Sequence, residues 1–302
     1  MLSTMDAAQT RYVQDVLAVH ERLSFGGLVR HLSERDVPWL VTRPDGLATL
    51  AARTDQIPHR YLLGLQGFRL AQYLKLGYAS NQVVYARSLF CEPSHALHPT
   101  DIHVVTLDQP SGRILGYVGL ASSADAEPRD PAAEDRAPFP CEVAHGVNVF
   151  ARVRPMPDLH THEVREVKRF VHDRSLTDRT LRLRVSLELL LGLGRALQAA
   201  APAVRVLVGD VEERVALRHL LLMGLDVYLI EGTRPVLPAH DLMHPMYEVR
   251  DVVKPFVACA PTGDELRRRT DLVERAVTGA DLFAGAGLLV QHLTPTLQRV
   301  AA

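Results

Sequence analysis

The chain has 302 residues, 47% of them hydrophobic and 23% charged, with a formal net charge of −1 at pH 7. That balance supports a packed core, excludes a disordered chain, and leaves no global attraction to nucleic acid or an anionic membrane. Cys91, Cys141 and Cys259 form no CxxC and no even set, no signal core opens the chain, and no run approaches ~18 apolar residues, so a soluble protein of the reducing cytoplasm is expected.

Residues 1–80 read as a helical extension or subdomain. RYVQDVLAVHERL places Val13, Val16, Leu17 and His20 at helical spacing, and HRYLLGLQGFRLAQYLKLG repeats the pattern and closes on Gly77, with the turn TRPDGL between them. From about Asn81 the period shortens. QVVYARSLF, DIHVVTLD and RILGYVGLA read as strands, the last two joined by the turn QPSG. Ser122 to Pro140 is polar, acidic and Pro-rich, a surface loop, and EVAHGVNVF and HTHEVREVKRFVHDR (residues 160–174) follow as strands.

The second half reads as alternating elements. Ser175, Thr177 and Asp178 are cap candidates for a long Leu-rich helix from Arg179 toward Pro202. VRVLVGD is a buried strand, VEERVALRHLLLMG a helix, and LDVYLIEG another strand. Beyond Pro261 a helix opens on TGDELRRRTDLVERAV. The division expected is a helical part over 1–80, a core over 81–255 and a helical tail over 256–302.

The motifs exclude several enzyme classes. There is no GxxxxGK[ST], HExxH or GxSxG. Gly192 and Gly194 sit late in a helix with Leu197 where a dinucleotide fingerprint needs a third small residue, so they mark close helix packing. His160 and His162 would share one face of a strand, and His240 and His244 one face of a helix. A catalytic zinc needs three protein ligands, nothing ties the pairs together, and no metal site is expected.

Two charged stretches carry more. Arg174, Arg179, Arg182 and Arg184 crowd the start of the long helix, where positive charge opposes the helix dipole unless an anion is near. They make either a solvated arginine face or, with free backbone N–H groups, a phosphate site. In the preceding stretch, Glu163, Arg165, Glu166, Lys168 and Arg169 are too many charges for a strand buried on both faces. If extended, Glu166, Lys168 and Phe170 share one face and Val167, Arg169 and Val171 the other. Either this is an edge strand with cross-strand ion pairs, or it lines a cleft in which Glu takes a proton from an amine and Arg orders substrate.

The order of elements, with RILGYVGLA, EVKRFV and VEERVALRHLLLMGLDVYLIEG, resembles the GCN5-related N-acetyltransferase-like fold over about residues 80–250. The similarity is to the branch of acyl-homoserine-lactone synthases and long-chain N-acyl amino acid synthases. EVKRFV is similar to that branch's Glu-x-Ser-Arg-Phe strand, with Lys168 at the Ser. The resemblance implies an α+β protein: a mixed, mostly antiparallel sheet flanked by helices, with extra helices at both termini. It also implies direct acyl transfer from a thioester to an amine, such as an amino acid or specialised metabolite. Glu166 would then be base or orienter of the amine and Arg169 a substrate-binding or structural residue. Tyr117, Val118 and Gly119 would give backbone contacts to the donor, and Arg174, Arg179 and Arg182 would hold phosphate of CoA or of a carrier protein's phosphopantetheine. No permanently bound cofactor and no membrane partner is implied. Two other readings stay open: an aminoacyl-tRNA-dependent transferase of the same fold, using tRNA as partner, and a non-catalytic ligand-binding or scaffold protein.

Overall fold

The computed structural model describes residues 2–93, 97–154, 156–213, 217–249, 253–293 and 295–301, with backbone only at 2–6 and 249. Helices α1 (Leu2–Glu21) and α2 (Gly26–Ser33) lead into strands β1 (Trp39–Thr42) and β2 (Leu47–Arg53), then α3 (His59–Leu76) and α4 (Asn81–Ala86). Strands β3 (Ile102–Asp108) and β4 (Arg113–Ala121) follow, then α5 (Pro140–His145), α6 (Val149–Arg152) and β5 (Val164–His172). The chain continues through α7 (Arg179–Ala199), β6 (Val206–Glu212), α8 (Leu217–Leu222) and β7 (Asp226–Glu231). It ends with α9 (His244–Val249), β8 (Val253–Cys259), α10 (Gly263–Thr278), α11 (Leu282–His292) and β9 (Leu297–Ala301).

One nine-stranded sheet runs in the order β1-β2-β3-β4-β5-β6-β8-β7-β9. Neighbours are antiparallel except for β5 with β6 and β7 with β9. The sheet takes strands from all three segments of the expected division: β1 and β2 from the first, β9 from the last. The TRPDGL turn is a hairpin tip, because Trp39 to Thr42 and Leu47 to Arg53 pair with each other and β2 pairs on to β3.

Two stretches expected as strands are helical, and local capping accounts for both. In QVVYARSLF the Ser80 side chain accepts the Val83 N–H and starts α4, which buries Val83 and Val84. In EVAHGVNVF the Glu142 carboxylate accepts the Phe139 N–H, Pro140 stands in the first turn, and Gly146 (φ 61°) ends α5 in the left-handed conformation. Asp178 caps α7, accepting from Thr180 and Leu181 N–H.

The sheet separates two main apolar layers. One face packs Val104, Val118 and Leu120 under α7, whose Leu187, Leu189 and Leu191 are buried, with α10 and α11 beyond. On the other face Leu50, Val105 and Tyr117 pack against α1 to α4. The glycines of LGLGRAL serve this packing: a Cβ on Gly192 would lie 2.4 Å from Val104, and one on Gly194 2.6 Å from Thr270. Gly116 on β4 does the same from the sheet side, since a Cβ there would lie 2.5 Å from Val185 and 2.9 Å from Leu189 of α7.

Two irregularities in β5 shape everything around it. Tyr117 pairs with Val171 and Gly119 with Lys168, so Arg169 and Phe170 both stand opposite Val118 in a bulge. Arg169 occupies it with φ 63°, a conformation rare for a residue with a side chain. The parallel pairing of β5 with β6 covers only Val164 to Glu166 against Val206 to Val208, although β5 runs to His172 and β6 to Glu212. Past Glu166 the two strands separate. At the vertex a Cβ on Gly209 would be 3.0 Å from the Val167 carbonyl.

Gly116→Ala is expected to lower stability by ~1–3 kcal/mol, because the buried Val185 and Leu189 side chains must give way to admit the methyl group. The urea midpoint reads this directly, and an unchanged midpoint would contradict the close approach.

Candidate functional site in the splayed cleft

The gap between β5 and β6 opens into a cavity of about 1080 Å³. Its two sides differ in chemistry. Toward α7 and α8 the lining is Val167, Phe170, Leu183, Leu187, Leu220 and Phe256, continuous with the apolar layer under α7. Toward α3 and α9 it is Arg69, Glu92, Glu166, Lys168, Arg169 and Asp210, with Tyr73, Tyr117 and Tyr247 among them.

The bulge decides which residues face which side. Strand alternation would place Arg169 with Val167 and Val171, and Phe170 with Glu166 and Lys168. The extra residue shifts the phase. Phe170 joins Val167 against the α7 layer, while Arg169 turns to the polar side with Glu166 and Lys168. There its Nε lies 3.3 Å from Glu92 Oε1 and its guanidinium 5.3 Å from the Tyr73 ring centroid.

Glu92 also pairs with Arg69 of α3, so two guanidinium groups flank one buried carboxylate. Burial works to raise the Glu92 pKa, but Arg169 and Arg69 override it and hold the group below the ordinary value. Arg69 reaches on to the Tyr117 hydroxyl at 3.4 Å, and that hydroxyl lies 2.8 Å from His103 Nδ1, whose Nε2 lies 2.9 Å from Thr54 Oγ1. Burial, helped by Arg69, lowers the His103 pKa to about 3, so this ring is neutral. The network joins α3, the segment before β3, and β3, β4 and β5 into one connected wall.

Glu166 sits where the strands part, 4% exposed, and accepts the Cys141 N–H at 3.3 Å. Burial raises its pKa to about 7, opposed by Lys168 and reinforced by Asp210. Asp210 is on the opposite arm, on β6, and accepts a hydrogen bond from the Tyr247 hydroxyl of α9. Burial likewise raises the Cys141 thiol, then Glu166 and Asp210, so Cys141 is a protonated thiol beside the carboxylate rather than a thiolate.

At the outer end of the cleft Arg174, Arg179 and Arg182 line the rim as exposed side chains, joined by Arg218 of α8. None of these four makes an ion pair among the described residues. Below them His172 Nε2 meets Ser186 Oγ at 3.0 Å, and Ser186 donates to the Arg182 carbonyl. Burial, with His219 and the arginines, lowers the His172 pKa to about 4. Phe170 stacks on His219 at 4.5 Å.

The structure therefore brings Glu166, Arg169, Arg174, Arg179 and Arg182 to one cavity, with Tyr117 and Gly119 on its wall. Val118 is not on that wall; it is fully buried under α7, and β4 pairs on both sides, with β3 and β5. Arg184 also lies apart from the rim arginines, 3.5 Å from Asp45 and from the buried Glu188. The histidine pairs do not share faces as expected. His162 lies in a single helical turn (Thr161–Glu163) after His160, and His240 lies in a turn before α9, which His244 opens. Arg69, Glu92, Asp210 and Tyr247 escape sequence reading. One signal was present: Gln66, Arg69 and Gln72 recur every third residue in a helix that buries all three.

The topology is the expected α+β arrangement, a mixed and mostly antiparallel sheet flanked by helices: antiparallel strands, one splayed parallel pair, and the order β6-β8-β7 after it. The chain matches no protein-family model and no curated protein. Among solved structures it is similar to a CoA-dependent acyl-homoserine lactone synthase, MesI, at 16% identity and TM-score 0.42 over 71% of this chain and 88% of that one. A second, BjaI, also a CoA-dependent acyl-homoserine lactone synthase, matches at 12% identity and TM-score 0.44 over 83% of this chain and 91% of that one. A ribosomal-protein-S5-alanine acetyltransferase from Vibrio fischeri matches at 8% identity and TM-score 0.31 over 75% and 97%.

Proposed function

We propose that this chain is an N-acyltransferase that moves an acyl group from a thioester, acyl-CoA or acyl-carrier protein, to a small amine. The observation that carries the reading is the two-sided cleft: an apolar side and a polar, charged side meet at the strand splay beside one raised-pKa carboxylate, Glu166. An acyl chain suits the first side and a charged amine the second, so the thioester carbon lies in the gap.

The chemistry follows from that placement. The unpaired edge of β5 beyond Glu166 offers backbone groups to the donor arm, in the place that Tyr117 to Gly119 had been expected to fill. Backbone N–H groups there would stabilise the oxyanion as the amine nitrogen bonds to the carbonyl carbon. The acceptor's ammonium group first gives one proton to solvent; as the neutral nitrogen attacks, Glu166 takes the second, the carbon–sulfur bond breaks, and the thiolate is protonated from solvent. The amide leaves with the nitrogen and the acyl group joined, and Glu166 returns its proton to water. Arg169, held by Glu92 and Tyr73, keeps the bulge and so the position of Glu166. Arg174, Arg179, Arg182 and Arg218 suit the phosphates of CoA or phosphopantetheine.

Two outcomes test this. Because Glu166 must be ionised to take a proton and titrates near pH 7, kcat/KM is expected to rise tenfold per pH unit below that value and level off above it. Glu166→Gln should cut turnover by ~10²–10⁴-fold and remove that limb. Full turnover by this variant with thioester and mixed amines, read by product mass, would end the assignment of Glu166. Alanine at Arg179, Arg182 or Arg218 should raise the KM for acyl-CoA by ~3- to 10-fold each, less at high salt, with kcat nearly unchanged.

A further inference from the structure

Beneath the rim arginines the hydrogen bonds fix the tautomer of one histidine. Ser186 Oγ lies 3.0 Å from the Arg182 carbonyl, which can only accept, so the single hydroxyl hydrogen is used there. Toward His172, also 3.0 Å away, Ser186 is left to accept, and Nε2 of His172 carries the ring hydrogen. Nδ1 is therefore bare in the neutral ring. It makes no hydrogen bond to any described residue, and His172 stands on the cavity wall. Phe170 meets the ring edge-on at 5.6 Å, and the His219 ring lies at 6.5 Å.

The charges acting on this ring share one sign. Burial first, then His219, Arg174, Arg182 and Arg218, hold it in the neutral form. Burial and Arg182 likewise push the Arg174 guanidinium below its ordinary value. Asp173, next in the chain, is engaged elsewhere, with Arg113 of β4 and with Ser175. Glu212 at the end of β6 lines the same cavity and is itself partnered. An anion that offsets the arginines would also remove much of what keeps the imidazole neutral. We propose that His172 is a further ligand of the donor's phosphate: as phosphate settles among Arg174, Arg182 and Arg218, Nδ1 takes one proton from solvent and hydrogen-bonds a phosphate oxygen. Donor binding and proton uptake are then one linked event.

This deepens the acyl-transfer reading, which supplies the phosphate-bearing donor, but binding tests it separately. The sign follows from the unliganded ring, whose pKa is lowered to about 4. Affinity rises as pH falls through the higher value of the bound state and levels off below the unliganded one. Dephospho-CoA is the first probe, because its diphosphate lacks the phosphomonoester that titrates near pH ~6. It is titrated into the full chain by calorimetry in buffers of different ionisation enthalpy, which counts the protons taken up. Uptake of ~0.5–1 proton is expected at about pH 6 and none at about pH 8. Pantetheine, which carries no phosphate, should take up none. His172→Gln, whose amide can still donate to Ser186, should abolish uptake and weaken binding ~3- to 10-fold at about pH 6, yet match the wild type at about pH 8. Holo- against apo-carrier protein shows whether a carrier's phosphopantetheine supplies the same phosphate.

No binding or no proton uptake with either phosphate source, equal uptake with pantetheine, or uptake kept in His172→Gln would each overturn the assignment. In the last case the proton belongs to His219 or Glu166, and His219→Gln tells those two apart. Turnover with acyl-CoA is scored apart from binding. Phosphate-linked proton uptake without any acylated product would remove the acyl-transfer reading and leave the His172 site standing. Acyl transfer without proton uptake would do the reverse. Circular dichroism of each variant separates loss of binding from loss of fold.

Discussion

The rest of the site depends on one interruption: β5 and β6 pair through Glu166 and Val208 and then part. Each strand is held on its far side, β5 by β4 and β6 by β8, so the sheet continues on both flanks while its middle opens. The opening leaves strand edges inside the molecule, where backbone N–H and C=O groups need partners. It also brings the two sides of the sheet, one apolar and one charged, into a single cavity. A continuous sheet would have kept them apart.

The bulge is the second device, and it acts through phase. A single extra residue opposite Val118 sends Phe170 to the apolar side and Arg169 to the charged side. Left-handed backbone at an arginine is unfavourable by itself, of order 1 kcal/mol or more. It is held by the Glu92 pair and the Tyr73 face, both supplied from outside the sheet. Arg69 completes that support from α3, so the N-terminal helices form the polar wall of the cleft.

Much of this was legible in the sequence. The long helix, its Asp178 cap, the strands around residues 102–121 and 164–172, and the glycine-mediated packing of α7 follow from periodicity and turn chemistry. So does the suspicion that EVKRFV and the arginines after it line one cleft, which the structure brings to the same cavity. The failures have local causes. QVVYARSLF and EVAHGVNVF have strand-like composition, but a Ser80 cap and a Glu142 side-chain bond win over a few residues. The β1–β2 hairpin joins the sheet through β3, and the edge strand β9 joins it through β7, partners that in both cases lie far along the chain.

Sequence by itself determined the local matters: the long helices, where α7 begins, and that charge accumulates around Glu166 and Arg174 to Arg182. Period, caps and turns are encoded within a few residues. The tertiary structure alone decided the side to which each β5 residue points, because the register with β4 fixes the bulge. It alone paired Arg69 and Arg169 with Glu92 and brought Asp210 across from β6 to the same cavity as Glu166 and Lys168. Those relations join residues that lie far apart in the chain or on separate strands, and no short-range pattern records them.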